Sequence, residues 1–359
     1  MIRMGDFQSF LKIDENRLKQ NISTATTPAC MQHGHTNRGH IKRTPGDPAR
    51  DQDEASGDPW IRSVGGMYCM GTSFDIVAYG TQCARLELAI ADALKEAKRL
   101  DCLLSNYRPE SELSRVNRLG SRGPMTLSSE FLQFLSACRA YSRSSEGTFD
   151  ITVGPLQRAW GFYKGTGQLP TRDEVERALD KVGYANIILD EQNMTVCLAE
   201  EGVELDPGGI GKGFAVDRMA EVLRNSEVNA ALIIAGGSTI YALGTPPNEP
   251  GWTVTIKDPR QPSKVAETVT LKNEAVSTSG NLEKFFWADG KIWGHIIDPR
   301  TGYPAMGTLS VSVIAPRGVD SEAWTKPYYI LGRLWTEKHK QDDFRVFYCE
   351  DQASTYAWL

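Results

Sequence analysis

Apolar side chains recur at helical spacing between residues 86 and 104, and charged side chains occupy positions between them. Because apolar residues that repeat every three or four positions form one face of a helix, this segment is predicted to be a long amphipathic helix. Similar patterns predict helices over residues 129–142, 171–182, 211–224 and 321–331. Each helix has an apolar face that another element must cover.

Short apolar runs bounded by turn residues are typical of strands, and they are frequent in the rest of the chain. These runs cover residues 74–79, 186–189, 195–198, 202–205, 230–235, 252–257, 268–271, 293–297, 309–315 and 344–349. Several of them follow one another with no helix between them. The pattern therefore predicts an α+β fold with mixed or antiparallel sheets and packed helices, rather than a doubly wound parallel sheet.

The first 66 residues differ from the remainder of the chain. They are rich in Thr, Asp, Arg, Gly, Pro and His and have no sustained apolar period. Because such a composition buries little apolar surface, residues 1–66 are predicted to be a disordered tail and residues 67–359 a folded domain. The tail contains His33, His35 and His40. We interpret these histidines as incidental, with a metal site as the alternative.

The composition argues against several classes of protein. A chain of 359 residues with 40% hydrophobic and 24% charged residues is ordinary for a globular protein. Its net charge of −5 offers no basic surface for nucleic acid. No apolar run approaches the roughly 20 residues that span a bilayer. The seven cysteines include no C-x-x-C pair, so neither a disulfide framework nor a zinc ribbon is expected.

The sequence L-D-P-G-G-I-G-K-G-F-A-V-D, residues 205–217, indicates a site for a phosphorylated ligand. Glycines let the backbone approach a ligand closely, and the N–H groups at the start of a helix attract anions. The segment is not a P-loop, because Gly213 follows Lys212 where a Ser or Thr would hold magnesium. It also lacks the G-x-G-x-x-G of dinucleotide sites. An ordinary strand–turn–helix with a glycine-rich bend is the alternative.

Two further residues are candidates for chemistry. Tyr107 follows the long helix, where its ring could stack on a base or a flavin, or could belong to the core. His295 lies on a predicted strand that leads into the turn at Asp298, and the hydroxyl-rich segment S-T-S-G precedes it at residues 277–280. A histidine near an acid and hydroxyl groups is typical of general acid–base catalysis, although a lone histidine is often structural.

Six motifs occur along the chain in a fixed order. They are M-G-T (70–72), S-x-Y-x-x-x-S-E-L-S-x-x-N (105–117), G-x-F-D-I-T-V-G-P-L (147–156), D-x-G-G-I-x-K-G-x-A-V-D (206–217), S-T-S-G (277–280) and H-I-I-D-P-x-T-G (295–302). In these motifs the chain resembles the ApbE-type FAD:protein FMN transferase family. The resemblance extends from residue 67 to about residue 332.

The resemblance implies the ApbE-like flavin transferase fold and a transferase that binds FAD together with a divalent cation, usually Mg²⁺. Such enzymes carry out protein flavinylation: they move FMN from FAD to a Ser or Thr hydroxyl of an acceptor flavoprotein and release AMP. The resemblance also implies that His295 accepts the hydroxyl proton, because it occupies the family's position for that base. The residues that match the FAD site are Met70, Tyr107, Thr148, Phe149, Asp150, Asp206, Lys212 and Ile297.

The resemblance places metal ligands at the carbonyl of Gly209 and on the last predicted helix, where the family has an Asp and, four residues later, a Thr. Counting back from Gly332 places Glu322 at the Asp and Lys326 at the Thr. A protonated lysine has no lone pair to donate to a metal. A shift of one residue would use Thr325 instead, with either Glu322 or Asp320 as the acid. The predicted ligands are therefore Gly209, Glu322 and Thr325. A direct contact between Lys326 and the pyrophosphate is the alternative.

Two other functions stay open on the sequence. The same scaffold could hydrolyse FAD to free FMN and AMP, with water in place of the acceptor hydroxyl, or could bind FAD without turnover. As written, the chain has no signal peptide, which predicts a cytoplasmic protein. The resemblance instead implies the periplasmic face of the inner membrane. No D-G-A-T or S-G-A-T acceptor motif occurs, so flavinylation of the chain itself is not expected.

Overall fold

The computed structural model describes residues 11–13, 60–165, 167–281, 284–350 and 356–359. Within these ranges the helices are α1 (Cys83–Leu104), α2 (Glu112–Leu119), α3 (Ser129–Ser144), α4 (Gly154–Ala159), α5 (Arg172–Leu179), α6 (Gly211–Asn225), α7 (Gly318–Leu331) and α8 (Arg333–His339). The strands are β1 (Leu11–Ile13), β2 (Ile61–Cys69), β3 (Thr72–Gly80), β4 (Met125–Thr126), β5 (Ile187–Asp190), β6 (Thr195–Leu198), β7 (Ala230–Ala235), β8 (Thr239–Leu243), β9 (Trp252–Lys257), β10 (Val265–Leu271), β11 (Glu274–Gly280), β12 (Phe285–Ala288), β13 (Lys291–Gly294), β14 (Thr308–Ala315), β15 (Arg345–Glu350) and β16 (Tyr356–Trp358). Short 3₁₀ turns cover Gly120–Arg122, Phe162–Lys164, Tyr184–Asn186 and Pro207–Gly209.

An antiparallel sheet in the order β16-β15-β14-β11-β8-β7-β3-β2 forms the centre of the described structure. One face is covered by α1 and α6, whose apolar side chains pack with those of β3 and β7. The opposite face is covered by a smaller antiparallel sheet in the order β1-β9-β10. Because both faces are buried, β7 and β8 are apolar along nearly their whole length. The predicted α+β fold is confirmed.

A second hydrophobic core lies beside the central sheet, between α2, α3, the start of α7 and the small sheet β4-β6-β5. The buried side chains of α3 include Phe131, Phe134 and Leu135, which follow the helical period of that segment. Ser128 caps the helix by accepting a hydrogen bond from the N–H of Phe131 at 3.3 Å. This core supports the loop after α1 and the glycine turn that precedes α6.

The folded part of the chain begins before Met67, so the domain boundary predicted from the sequence is too late. β2 begins at Ile61 and pairs with β3 along its whole length. On the face of β2 that meets α1 lies Gly65, where an added Cβ would overlap Cγ2 of Ile90. Small residues on this face let the helix approach, and they also remove the apolar alternation by which a strand is recognised.

The disordered tail predicted for residues 1–66 lies largely outside the described residues, and so do His33, His35 and His40. Residues 11–13 are described, and they form β1, which pairs with β9.

The predicted strand at residues 202–205 takes another conformation. The described residues give it only an isolated bridge between Val153 and Glu204. A side chain replaces the missing strand partner: Asn117 accepts a hydrogen bond from the N–H of Leu205 at 2.7 Å and donates one to its carbonyl at 3.0 Å. An amide side chain thus fixes the backbone immediately before the glycine turn.

The predicted strand at residues 293–297 ends early, at Gly294 in β13. His295 leaves the strand, and its N–H donates to the carbonyl of Lys284 at 3.1 Å. The elements β8, β11, α2, α4 and α8 were not predicted, because they are short or carry buried polar residues. No helix in the described ranges is long and apolar enough to span a bilayer.

Candidate active site

A cavity of about 630 Å³ opens at the end of the central sheet where β2 turns into β3 and β7 turns into β8. Its wall also includes the loop after α1, the turn Pro207–Gly209 with the start of α6, and one side of α7. A volume of this size lies within the range of about 300–1,000 Å³ that is typical of small-molecule sites.

The cavity brings together residues that are far apart in the sequence and that were predicted to share a site. Those that line it are Met70, Tyr107, Thr148, Phe149, Asp150, Asp206, Gly209, Lys212, His295, Ile297 and Glu322. Thr325 is fully buried behind the wall, where its hydroxyl accepts a hydrogen bond from Ser279 at 2.7 Å. The contacts of each side chain limit what it can do there.

The turn Met70-Gly71 connects β2 to β3 and forms one edge of the cavity. The φ angles are 50° at Met70 and 75° at Gly71, as a two-residue hairpin turn of this kind requires. A methionine in the left-handed region carries backbone strain, which is a feature of ligand sites. The N–H of Met70 donates to Asp101 at 3.1 Å. Its side chain reaches the start of α6, where a Cβ added to Gly211 would lie 3.2 Å from Cε of Met70.

The loop after α1 presents the ring of Tyr107 to the cavity. Ser111 caps α2 and also donates its hydroxyl to the carbonyl of Ser105 at 2.6 Å, which fixes the loop. Tyr107 is 74% exposed and contacts Tyr163 edge to face, with ring centroids 6.3 Å apart. The exposed ring surface can therefore stack on a planar ligand.

Asp206 lies at the start of the glycine turn. It accepts hydrogen bonds from the N–H of Gly208 at 2.8 Å and from the hydroxyl of Tyr163. Burial raises the pKa of Asp206, against these hydrogen bonds, which favour the charged form. Tyr163 also accepts a hydrogen bond from Asn106 at 3.2 Å. Tyr163 was not predicted, and its signal is slight: one more aromatic residue in the run W-G-F-Y.

The side chains of Thr148 and Asp150 line the cavity but bond within the protein. Thr148 donates to the carbonyl of Ser145 at 2.6 Å. Asp150 accepts from the N–H and the hydroxyl of Thr152 at 2.8 Å and 2.7 Å, and from the N–H of Tyr184 at 2.6 Å. Burial raises the pKa of Asp150, and these hydrogen bonds oppose the rise. This carboxylate therefore holds the turn that shapes the wall.

The start of α6 is capped by a carboxylate from α7. Glu322 is 2% exposed, forms an ion pair with Lys212 and accepts the N–H of Gly213 at 2.6 Å. Lys326 donates to the backbone carbonyl of Glu322 at 3.0 Å. Burial alone would raise the pKa of Glu322, but the charges of Lys212 and Lys326 outweigh it, so the pKa is lowered. Two ammonium groups, that of Lys212 on α6 and that of Lys326 on α7, thus lie beside the buried carboxyl group of Glu322.

The start of α7 is capped in turn by a carboxylate from α6. Asp217 accepts the N–H of Gly318 at 2.6 Å and the N–H of Val319 at 2.8 Å. Burial raises the pKa of Asp217 to about 6, against these hydrogen bonds, so the group is charged at neutral pH. Each helix therefore supplies the acid that satisfies N–H groups at the start of the other.

Gly213 is required because the backbones of α6 and α7 touch at this point. A Cβ added to Gly213 would overlap the carbonyl oxygen of Gly318. Because that neighbour is backbone, we expect Gly213→Ala to lower the free energy of unfolding by about 1–3 kcal/mol.

A matched control for this substitution is Gly80→Ala, whose added Cβ would meet Leu86 at an ordinary 3.5 Å. Gly80→Ala should be neutral or slightly stabilising. Urea denaturation of both variants measures the difference, and equal midpoints would contradict the close contact.

The oxygen atoms predicted to hold Mg²⁺ are already bonded within the protein. One carboxylate oxygen of Glu322 pairs with Lys212, and the other accepts the N–H of Gly213. The hydroxyl of Thr325 donates to the carbonyl of Glu322 at 2.7 Å and accepts from Ser279. The predicted ligands thus lie close to one another, but their lone pairs are largely used.

The side chain of Lys326 passes close to Gly209, the third residue predicted to hold the metal. A Cβ added to Gly209 would lie 3.3 Å from Cε of Lys326. A divalent cation needs oxygen lone pairs and would face an ammonium group here, so these residues do not fit a metal as they are arranged. In the part of the chain that the structure describes, no group of three or more His, Cys, Asp or Glu side chains could hold a metal ion.

His295 lies just after β13, with Nδ1 3.1 Å from the carbonyl oxygen of Lys284. In the neutral ring, Nδ1 then donates to that carbonyl and the lone pair lies on Nε2. Loss of solvent and the charge of Lys284 lower the pKa of His295 to about 3, and the charges of Lys326 and Lys212 contribute. The ring is therefore neutral, the form that accepts a proton.

Several polar residues of the cavity were not predicted. They are Asp101, Asn106, Tyr163, Lys257, Asp258 and Lys284. Asp101 does leave a signal in the sequence, because it is an acid on the apolar face of α1, between Leu100 and Leu104. Lys257 and Asp258, at the end of β9, and Lys284, just before β12, leave no such signal in the sequence. Only the tertiary fold brings these segments to the cavity.

The fold and the site together define a class of protein. An exposed aromatic ring, a helix start with two ammonium groups and a neutral imidazole share one cavity in an α+β domain. This combination suits a ligand that has both a planar ring and phosphate groups, and a reaction in which a proton is removed near the phosphate.

Comparison with known proteins identifies the family. Residues 70–343 match the model of the ApbE family, and the chain belongs to that family. Over 237 residues it is 34% identical to the FAD:protein FMN transferase of Klebsiella pneumoniae (strain 342), which covers 66% of this chain and 73% of that protein. Over 238 residues it is 29% identical to the FAD:protein FMN transferase of Escherichia coli (strain K12), covering 65% and 68%. The crystal structure of the ApbE protein of Thermotoga maritima has a TM-score of 0.76 and 29% identity, covering 83% of this chain and 96% of that one.

Proposed function

We propose that this chain transfers FMN from FAD to a Ser or Thr hydroxyl of an acceptor protein and releases AMP. One observation carries the proposal: the neutral imidazole of His295 shares a cavity with the charged start of α6. The similarity to FAD:protein FMN transferases supports it. FAD is the substrate of this reaction.

FAD fits the cavity through two kinds of contact. A ring system stacks on the exposed face of Tyr107, and Asp206 provides a polar edge beside it. The pyrophosphate lies at the start of α6, where Lys212 and the helix dipole attract negative charge. In this orientation the phosphorus atoms lie beside Lys212, whose charge also acts on His295.

The reaction breaks one bond to phosphorus and forms another. The acceptor oxygen attacks the phosphorus of the FMN half, and the P–O bond to AMP breaks, so AMP leaves with the bonding electrons. Nε2 of His295 takes the proton of the hydroxyl. The products are a protein with FMN linked through a phosphoester, and AMP.

Incubation of the purified chain with FAD and an acceptor flavoprotein tests the proposal. A flavin fluorescent on the acceptor after denaturing electrophoresis, with AMP in equal amount, is the expected result. Free FMN and AMP without labelled protein would instead identify an FAD pyrophosphatase. FAD binding with neither product would identify a binding protein without turnover.

Replacement of Tyr107 by alanine is expected to weaken FAD binding by up to about tenfold, because an aromatic stacking contact contributes about 0.5–1.5 kcal/mol beyond area burial. Tyr107→Phe keeps the ring and serves as the matched control, with near-parental affinity. Fluorescence titration with FAD measures both variants. An unchanged affinity in a folded Tyr107→Ala protein would remove this ring from the site.

A further inference from the structure

We propose that the ammonium group of Lys326 binds the FAD pyrophosphate in the place of a divalent cation, so that transfer by this chain does not require Mg²⁺. The inference rests on the proposed function, because it concerns the same cavity and the same substrate. It goes further by naming the group that supplies the positive charge at the bond that breaks.

The two ammonium groups beside Glu322 argue against a dication. Lys212 forms an ion pair with Glu322, Lys326 donates to its backbone carbonyl, and the charges of both lysines lower the pKa of its carboxyl. A dication placed beside them would be repelled by each ammonium twice as strongly as another monovalent cation would be. A pyrophosphate, by contrast, is attracted to the same ammonium groups.

The geometry directs Lys326 toward the glycine turn. Its neighbours on α7, Thr325 and Pro327, are buried, whereas Lys326 is only half-buried and lines the cavity. Its Nζ is held at 3.0 Å from the carbonyl oxygen of Glu322, and its Cε packs on Gly209, where the absence of a side chain leaves room for it. An ammonium held in this way can contact a phosphate oxygen as a point charge.

The role of Lys326 in the reaction follows from where charge develops. As the acceptor oxygen bonds to phosphorus and the P–O bond to AMP breaks, negative charge grows on the departing phosphate oxygen. Lys326 stabilises that charge while His295 holds the proton. No further reactant is needed.

The first test measures binding in excess EDTA, with ADP as the ligand that carries a pyrophosphate and riboflavin as the ligand that carries none. Lys326→Met keeps the length of the side chain and removes its charge. We expect this variant to bind ADP about 10–100-fold more weakly, the range for a hydrogen bond to a charged group, and to bind riboflavin like the parent.

Isothermal titration calorimetry measures these affinities, and two control variants are measured in the same way. Lys95→Met removes an exposed lysine of α1 and should leave both affinities unchanged. Lys326→Arg keeps the charge and should retain most of the ADP affinity. Parental ADP affinity in Lys326→Met would overturn the proposal. If Lys326→Met does not fold, a weakened ADP affinity of Lys326→Gln against Lys326→Arg decides the same question.

The second test asks whether a metal binds, with Mn²⁺ as a spin-active probe in the presence of FAD. The parental chain is expected to show no stoichiometric Mn²⁺ site that depends on Glu322, and its transfer rate in EDTA should lie within about twofold of the rate in Mg²⁺. A Mn²⁺ site that is lost in Glu322→Gln, or transfer that EDTA stops, would overturn the proposal. Absence of transfer under all conditions would contradict only the proposed function, because the ADP and Mn²⁺ measurements do not require turnover.

Discussion

Replacement of His295 by alanine is expected to slow FMN transfer by about 10²–10⁴-fold, the usual contribution of a general base. FAD affinity should change little, because the base acts on the acceptor hydroxyl in the transition state and not on the bound substrate. Single-turnover labelling of the acceptor measures the rate, and titration with FAD measures the affinity. His339→Ala on α8, outside the cavity wall, is the matched control and should transfer at the parental rate.

The pH dependence of the same reaction follows from the lowered pKa of His295, about 3. Because the imidazole stays neutral between pH 8 and pH 5, the transfer rate should show no fall with a midpoint near the ordinary histidine value of 6.5. Parental transfer by His295→Ala would return His295 to a structural role. A rate that falls through pH 6.5 in the parent but not in His295→Ala would keep the base and contradict its lowered pKa.

The lowered pKa of His295 should also affect how the stability of the protein depends on pH. Below pH 6.5 the unfolded chain protonates this histidine while the folded chain does not, down to about pH 3. As the pH falls from 6.5 to about 3, protonation of this histidine therefore favours the unfolded chain, and the free energy of unfolding decreases. The decline between pH 6.5 and pH 4 should be shallower in His295→Ala than in the parent.

Replacement of Glu322 by alanine is expected to lower the free energy of unfolding by about 3–5 kcal/mol. The carboxylate is buried, and its removal breaks the ion pair with Lys212 and leaves the N–H of Gly213 without this acceptor. Glu322→Gln keeps an acceptor for that N–H and should recover part of the loss. Urea denaturation monitored by circular dichroism measures each variant.

An exposed ion pair provides the comparison for Glu322. Glu176 pairs with Arg172 on the surface of α5, where the side chains are 57% and 83% exposed. Glu176→Ala should leave the urea midpoint nearly unchanged, because solvent screens such pairs. A Glu322→Ala variant as stable as Glu176→Ala would mean that the buried pair does not hold α6 against α7.

Local patterns were sufficient where burial is simple. The strand predicted at residues 230–235 matches β7, and the strand at residues 252–257 matches β9, because both carry enough apolar side chains for the period to be visible. The cavity residues were found through motifs, whose glycines, acids and hydroxyls lie at turns that face the ligand site. These signals are short in sequence and do not depend on distant contacts.

Pairings between distant segments were beyond sequence reasoning. The sequence motifs assigned Lys212 to the FAD site and Glu322 to the metal site, whereas the structure pairs the two side chains. They meet because α6 and α7 touch at Gly213 and Gly318. The strand β2 was missed for a related reason, since Gly65 is small to admit α1 and so carries no apolar signal. In both places a glycine allows another segment to approach the backbone closely, but the sequence does not show which segment that is.

The exchange of caps between α6 and α7 has a consequence for the order in which the protein folds. Gly213 and Glu322 are separated by 109 residues, and the chain between them contains β7, β8, β11 and β14 of the central sheet. Closing so long a loop costs entropy that its few hydrogen bonds do not offset, so the two helices meet only when those strands have already shortened the path. We therefore expect the ligand cavity to form late in folding, because its wall includes Glu322 and Lys326 of α7.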